Sequence, residues 1–538
     1  MYFRPQPFNQ PLSSPIDSLP VELLAYIFVL GTHDPIHLSH SEQQDDCQPF
    51  DSESVKAPLV YASVSRHWRS VALNTPALYT SLCITPELLR EVGSTEVLET
   101  TGLLSYLALS RNYLVDIVID ARDQEWDFDD TGIFSDRLGS AWFSADHMSA
   151  AMSVLLPHLG RWRSLSILTD VYDPMRAALR PLEVYLAAYG APHLESLRLM
   201  RCDAYAVHSL VAEPDYLFLS SITNSESVLP NLRHLTLRGV PAAWTPLATL
   251  LPEQLNTLEL SFQPMTTQPS VPELARLLQA APHLARLVLN GCGPAFLDPA
   301  GVFLPTDLEP IHLPLLKSLA LGYTSALSAL AVLQLLAAAQ LHTLALEDAS
   351  HHAEMVPVDG VPLLAALFPP STPAVPRFPA LSDLTLRRVH LAGPTPPVRV
   401  ARLELIDMAP AALALECTQE LCVRGPLIAP SAFVVPAAVS LAETGAALRA
   451  LVEGRGAAAP RVVCLHEAAY AAPLAGEAEE IFIGATLVKL YRRPEELEDD
   501  EDTVMGSEPE CGWDEHEAFK VGGVFNDPVF DARYGYVG

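Results

Sequence analysis

Along most of the chain the apolar positions repeat one short template. Leu-x-x-Leu-x-Leu stands at Leu194/Leu197/Leu199, Leu232/Leu235/Leu237, Leu255/Leu258/Leu260, Leu284/Leu287/Leu289, Leu316/Leu319/Leu321, Leu341/Leu344/Leu346 and Leu381/Leu384/Leu386. Looser copies occur at Tyr79/Leu82/Ile84, Leu114/Ile117/Ile119, Trp162/Leu165/Ile167 and Val400/Leu403/Leu405. The last two apolar positions of each copy are two residues apart, the period of a strand that buries one face. Each copy therefore predicts a short strand, and segments such as Pro272–Ala281 and Ser325–Ala339 predict covering helices. Five copies share a proline two residues before the first leucine (Pro192, Pro230, Pro282, Pro314, Pro379), a flank that composition does not require. The copies are 19 to 40 residues apart between residues 162 and 400, so the unit is irregular. A single unit cannot bury its own apolar face; stacked units can, which predicts a solenoid over residues 81–493.

A different pattern precedes the repeats. In residues 16–30 (IDSLPVELLAYIFVL), Asp17 and Ser18 are cap residues, Pro20 suits a first turn and Glu22 suits the positive end of a helix dipole. Leu23, Leu24, Ile27 and Phe28, with Leu30 just beyond, follow as an apolar stripe at helical spacing. In residues 59–79, Val60, Val64, Trp68 and Ala72 recur every four residues and predict another amphipathic helix, so that the two segments together predict two or three short helices. Residues 1–14 read as a flexible arm, and residues 31–57 as a polar insertion within a helical module spanning 15–80.

Composition sharpens this division. The 86 leucines of the 538 residues are what a repeated apolar template demands. With 33 Lys+Arg against 64 Asp+Glu the formal charge is −31, and no clustered cations are available for phosphate backbones or anionic membranes. Residues 494–538 hold 14 acidic and 2 basic side chains, so the strongest charge density predicts a disordered acidic tail. The 29 residues from Ser318 to Leu346 contain no Asp, Glu, Lys or Arg, long enough to span a bilayer. Gly322, Thr324, Gln334, Gln340 and His342 interrupt them, and they divide into strand, helix and strand, the pattern of a buried repeat. Eight scattered cysteines without a CxxC pair, no apolar leader and no Asn-x-Ser/Thr acceptor fit a reducing compartment, cytoplasmic and/or nuclear.

The central template resembles leucine-rich repeats, and two copies end in the cysteine form of that motif, at Cys202 and Cys292. A small buried turn residue is the expected role of both cysteines, with a reactive thiol as the alternative. The N-terminal segments resemble the F-box. Leu19-Pro20, Glu22-Leu23-Leu24, Ile27-Phe28, Val64-Ser65-Arg66, Trp68-Arg69, Ala72 and Leu78-Tyr79 occupy its characteristic positions, with Ser65 replacing the usual cysteine and residues 31–57 lengthening the usual connection. Together these resemblances are to fungal F-box proteins with degenerate leucine-rich repeats. They imply an α/β chain made of an N-terminal helical F-box, an irregular solenoid and an acidic tail. They also imply a non-catalytic substrate-recognition subunit of an SCF-type ligase, docking on a Skp-type adaptor and through it on a cullin–RING enzyme. Carried onto this chain, the adaptor-binding residues would be Leu19, Pro20, Leu23, Leu24, Ile27 and Phe28, with Trp68 packing behind or beside them. The alternative is a leucine-rich scaffold without ligase coupling.

Other chemistry has little support in the residues. His33, His37, His40, Asp45, Asp46 and Cys47 match no standard zinc spacing, and Asp123–Asp130 reads as solvated surface. No nucleophile elbow, P-loop, HExxH or dinucleotide fingerprint occurs, so neither enzyme activity nor a cofactor or metal is expected.

Overall fold

The computed structural model describes residues 16, 19–33, 54–85, 89, 100–122, 143–201, 216–222, 228–295, 309–350, 358–369, 377–396, 398–408, 412, 415–424, 462–466, 480–483 and 486–491. The segments expected to form an N-terminal arm (1–14) and an acidic tail (494–538), Asp123–Asp130, Cys202 and most of the insertion lie outside these residues, as do the cap candidates Asp17 and Ser18. The chain is a mixed α/β fold built around one 15-stranded sheet. Its strands are β1 (Ser81–Ile84), β2 (Val115–Ala121), β3 (Trp162–Thr169), β4 (Ser196–Arg201), β5 (His234–Arg238), β6 (Thr257–Ser261) and β7 (Arg286–Asn290), then β9 (Ser318–Tyr323), β11 (Thr343–Asp348), β12 (Asp383–Arg387), β13 (Arg399–Ile406), β14 (Glu416–Arg424), β15 (Val462–His466), β16 (Glu480–Ile483) and β17 (Thr486–Tyr491). They follow one another in chain order except that β17 pairs with β15 and carries β16 at the edge. Every pair is parallel except β16 with β17. Two further short strands, β8 (Ile311–His312) and β10 (Leu336–Ala337), form a separate small parallel pair.

The template governs register. Leu197 pairs with Leu235, Leu235 with Leu258, Leu258 with Leu287 and Leu287 with Leu319, and the row continues through Leu344 and Leu384 to Leu403. A second row, two residues on, joins Leu199, Leu237, Leu260, Leu289 and Leu321. A one-residue slip would turn both rows to the other face, so burial holds the register. Both rows pack in one continuous core with the connecting helices, among them α5 (Ala145–Leu155), α6 (Tyr172–Tyr189), α7 (Trp244–Leu250), α8 (Val271–Ala280), α9 (Ala326–Leu335) and α10 (Val361–Leu367).

The proline flank has a local cause. The amide of the first leucine in a unit donates to the carbonyl three residues back, as Leu194 does to Ala191, Leu232 to Leu229, Leu284 to Ala281, Leu316 to Leu313 and Leu381 to Phe378. Pro192, Pro230, Pro282, Pro314 and Pro379 each occupy the second position of that turn, where a φ fixed near −65° is required. Strand exits are shared as well. Gly239, Phe262, Gly291, Arg388 and Asp407 each follow a strand directly and take positive φ between 50° and 58°. Glycine enters that conformation freely, whereas the three other side chains each cost about 1 kcal/mol there.

One expectation needs adjustment. Residues 59–79 do not form one amphipathic helix: α2 (Ala57–Val64) and α3 (Arg66–Leu73) are separated by extended Ser65, whose hydroxyl caps α3 by accepting the Trp68 amide at 3.1 Å. Past the last leucine copy, and within the expected 81–493, the sheet continues: in β14 Leu421 and Val423 pair with Leu403 and Leu405 and are buried like them. The uncharged stretch 318–346 folds as β9, α9, β10 and β11, and no helix among the described residues is long and apolar enough to cross a membrane.

Candidate functional site

The N-terminal helices build a small core of their own. The first turn of α1 (Val21–His33) follows Pro20, whose carbonyl accepts the amides of Leu23 and Leu24 at 3.0 Å. Leu24, Phe28 and Thr32, each four residues apart, face inward. The Phe28 ring stacks on Tyr61 of α2, with centroids 4.5 Å apart, and tilts against Trp68 of α3 at 4.9 Å. Gly31 allows this approach, since a Cβ there would lie 2.6 Å from the Tyr61 hydroxyl. Val71, Ala72, Leu78 and Tyr79 complete the cluster. Arg69 Nε donates to the Ala62 carbonyl at 2.8 Å, clasping α2 to α3, and His33 Nε2 lies 2.8 Å from the Ala77 carbonyl at the far end of α1.

This core is joined to the sheet. The Tyr79 ring meets Tyr106 of α4 (Thr101–Leu109) edge-on at 5.2 Å, and the Tyr106 hydroxyl donates to the Ser81 carbonyl at the start of β1. Burial raises the phenol pKa of Tyr106 above its ordinary value, with Tyr79 adding to the shift, which keeps it a neutral donor.

The inward stripe accounts for only one side of α1, and the rest of the helix is also apolar. Val21, Leu23, Tyr26, Ile27 and Leu30 are 45–60% exposed, and Glu22 is the helix's one acidic residue. Helix α2 has no charged residue and leaves Leu59, Val60 and Val64 56–66% exposed. With Leu73, these two helices and α3 hold nine of the fifteen large exposed hydrophobic side chains among the described residues. A helix apolar on all sides is ordinarily buried on all sides. Here one side has no cover within the described chain.

The structure divides the seven residues expected to touch an adaptor. Leu23, Ile27 and Pro20 are exposed, Leu19 and Trp68 half-buried. Leu24 and Phe28, at 0% and 1% exposure, pack between the helices. Tyr26, Leu59, Val60 and Val64 belong to the exposed surface and were absent from that set. The signal that would have found the three α2 residues is the lack of charge in APLVYASV on a helix whose Pro58 and Tyr61 already supply the inward side.

Elsewhere, Cys292 is buried just after β7, and desolvation pushes its thiol up to about 12, which suits packing rather than nucleophilic attack. Among the described residues no group of three or more His, Cys, Asp or Glu could hold a metal ion. No known protein-family profile matches the chain, and no curated protein matches it.

Proposed function

We propose that this protein is the substrate-recognition subunit of a cullin–RING (SCF-type) ubiquitin ligase. In this reading α1–α3 are an F-box that docks on a Skp-type adaptor. The strand–helix units are degenerate leucine-rich repeats, stacked as an irregular solenoid that holds a protein substrate. The observation that carries the reading is the uncovered apolar surface of α1 and α2, in the segment whose residues resemble the F-box. Contiguous apolar patches mark interaction sites, and helical stripes of this kind bind in the apolar groove of a partner. Covering the exposed half of each such side chain contributes about 1 kcal/mol. The shared turns and left-handed strand exits support the repeat reading, because each unit meets its neighbour through the same backbone contacts. The chain itself is assigned no reaction, cofactor or metal, and its place is cytoplasmic and/or nuclear.

Co-purification of the full chain with a Skp-type adaptor and cullin tests the assignment. The wild type should retain both, and Leu23→Asp with Ile27→Asp should lose both while remaining folded. Adaptor retained at the wild-type level by that variant overturns the docking surface. A wild-type chain that captures no adaptor leaves a leucine-rich scaffold without ligase coupling.

A further inference from the structure

The sheet has a second face, opposite the leucine rows, and that face is buried as well. Val288, Ala320 and Ala345 pair in register across β7, β9 and β11 and form an apolar cluster of their own, 0–4% exposed. On the same face Arg198 and Arg238 are buried and Arg286 is half-buried, and Glu259 is the one carboxylate among the outward positions of β4–β7. The helices between the strands bury their inward sides with the leucine rows, in the other cluster. Paired strands close a side chain only laterally, so a face buried this completely carries a further layer above it. That layer lies outside the described residues.

The chemistry of the face selects its cover. From β4 to β11 it offers an apolar floor beside three arginines to one carboxylate, and buried charge is stable only beside opposite charge. Two segments outside the described residues are longer than 20 residues, 425–461 and 492–538. The first holds Glu443 and Glu453 against Arg449, Arg455 and Arg461, so it brings no negative charge. The second holds the 14 acids of residues 494–538, with Glu508, Glu510, Asp514, Glu515 and Glu517 within five residues of Trp513. It is also long enough. β17 ends at Tyr491, six strand spacings from β9, which is about 29 Å along the sheet. The 20 residues from there to Cys511 extend to about 66 Å.

We infer that the acidic segment 494–538 lies on the face of the sheet opposite the leucine rows, with its carboxylates at Arg198, Arg238 and Arg286 and Trp513 over Val288, Ala320 and Ala345. Where the repeats hold a substrate on this face, the segment competes with it; that consequence alone rests on the proposed function.

The native Cys511 makes the placement measurable. Full-length Ala320→Cys is treated with glutathione disulfide, which leaves as two molecules of reduced glutathione while one S–S bond forms between Cys511 and the introduced thiol, identified by peptide mapping. Leu327→Cys, on the exposed side of α9, is the reference for a segment that meets the surface without docking. Docking raises the local concentration of Cys511, so Ala320→Cys should trap it at least about tenfold faster than Leu327→Cys. Cys511→Ser should abolish the bond, and replacing the five acids around Trp513 by their amides should lower the rate to that of the reference. Ala345→Cys repeats the measurement if Ala320→Cys lowers the melting temperature. Trapping no faster than in Leu327→Cys overturns the placement, and so does fast trapping that survives loss of the five acids. Neither result touches adaptor docking, which co-purification decides separately.

Discussion

The sheet and the N-terminal helices use the same kinds of side chain in opposite ways. In the sheet, Leu258, Leu287 and Leu319 pair in register and are wholly out of solvent. In α1, Leu23 and Ile27 are equally apolar and about half exposed. The sheet also does the reverse, taking charge inside: Glu347 and Arg387 are buried as direct partners on adjacent strands, 3.7 Å apart. Both residues lie on interior strands, with a paired strand on either side. The helices sit at one end of that row of strands, where nothing described covers their outer face. The difference is therefore one of position: each interior strand has paired neighbours on both sides, and the outer face of the N-terminal helices has no cover among the described residues.

Two adjacent residues test this contrast most strongly. Phe28→Ala empties the aromatic cluster with Tyr61 and Trp68 and should cost about 3–5 kcal/mol of module stability. Ile27→Ala, one position away, should change stability by less than about 0.5 kcal/mol. Denaturant unfolding followed by Trp68 fluorescence, in a background lacking the other tryptophans, would report both. Similar costs for the two would mean that Ile27 is covered within the chain.

A smaller effect is expected inside the sheet. Gly322 of β9 lies where the Asn290 side chain of β7 crosses the strand, and a Cβ there would collide with it. Gly322→Ala should cost about 1–3 kcal/mol by overpacking, whereas Gly102→Ala in α4, with open space around it, should be neutral or slightly stabilising. Equal melting temperatures for the two variants would break the claim that the sheet is packed to contact.

The smallest effect concerns pH. Burial raises the Asp348 carboxyl above its ordinary value of 3.8, opposed by the amides of Ser350 and Val358 that donate to it. The folded state therefore holds this proton more tightly than the unfolded chain. The group's contribution is most favourable below about pH 4 and becomes less so as pH rises through the folded value. Asp348→Asn removes that slope, so wild-type stability relative to the variant should fall between pH 4 and pH 7. A relative stability that rises over this range would contradict the burial argument.

Much of the sheet was legible because its signal is local and repeated. All seven strict copies and all four looser ones became strands, and the proline flank was visible before its turn explained it. The last strands were not, since β14 replaces the leucine pair with Leu421 and Val423 and the later strands abandon the template. Within α1 the stripe was legible as apolar but not as two faces: residues 27 and 28 differ by about 100° around the axis, and both are apolar. Only the packing of Tyr61 and Trp68 on Phe28 separates inside from outside. Likewise, spacing alone carried residues 60 to 72 through Ser65, where a side-chain cap starts a second helix.

The central claim is that the uncovered faces of α1 and α2 receive an adaptor. Hydrogen exchange of the full chain with and without saturating Skp-type adaptor measures this most directly. Added protection should appear over residues 21–33 and 57–73 and leave β4–β12 unchanged. Unchanged exchange in α1 and α2, or protection confined to the strands, would contradict the account.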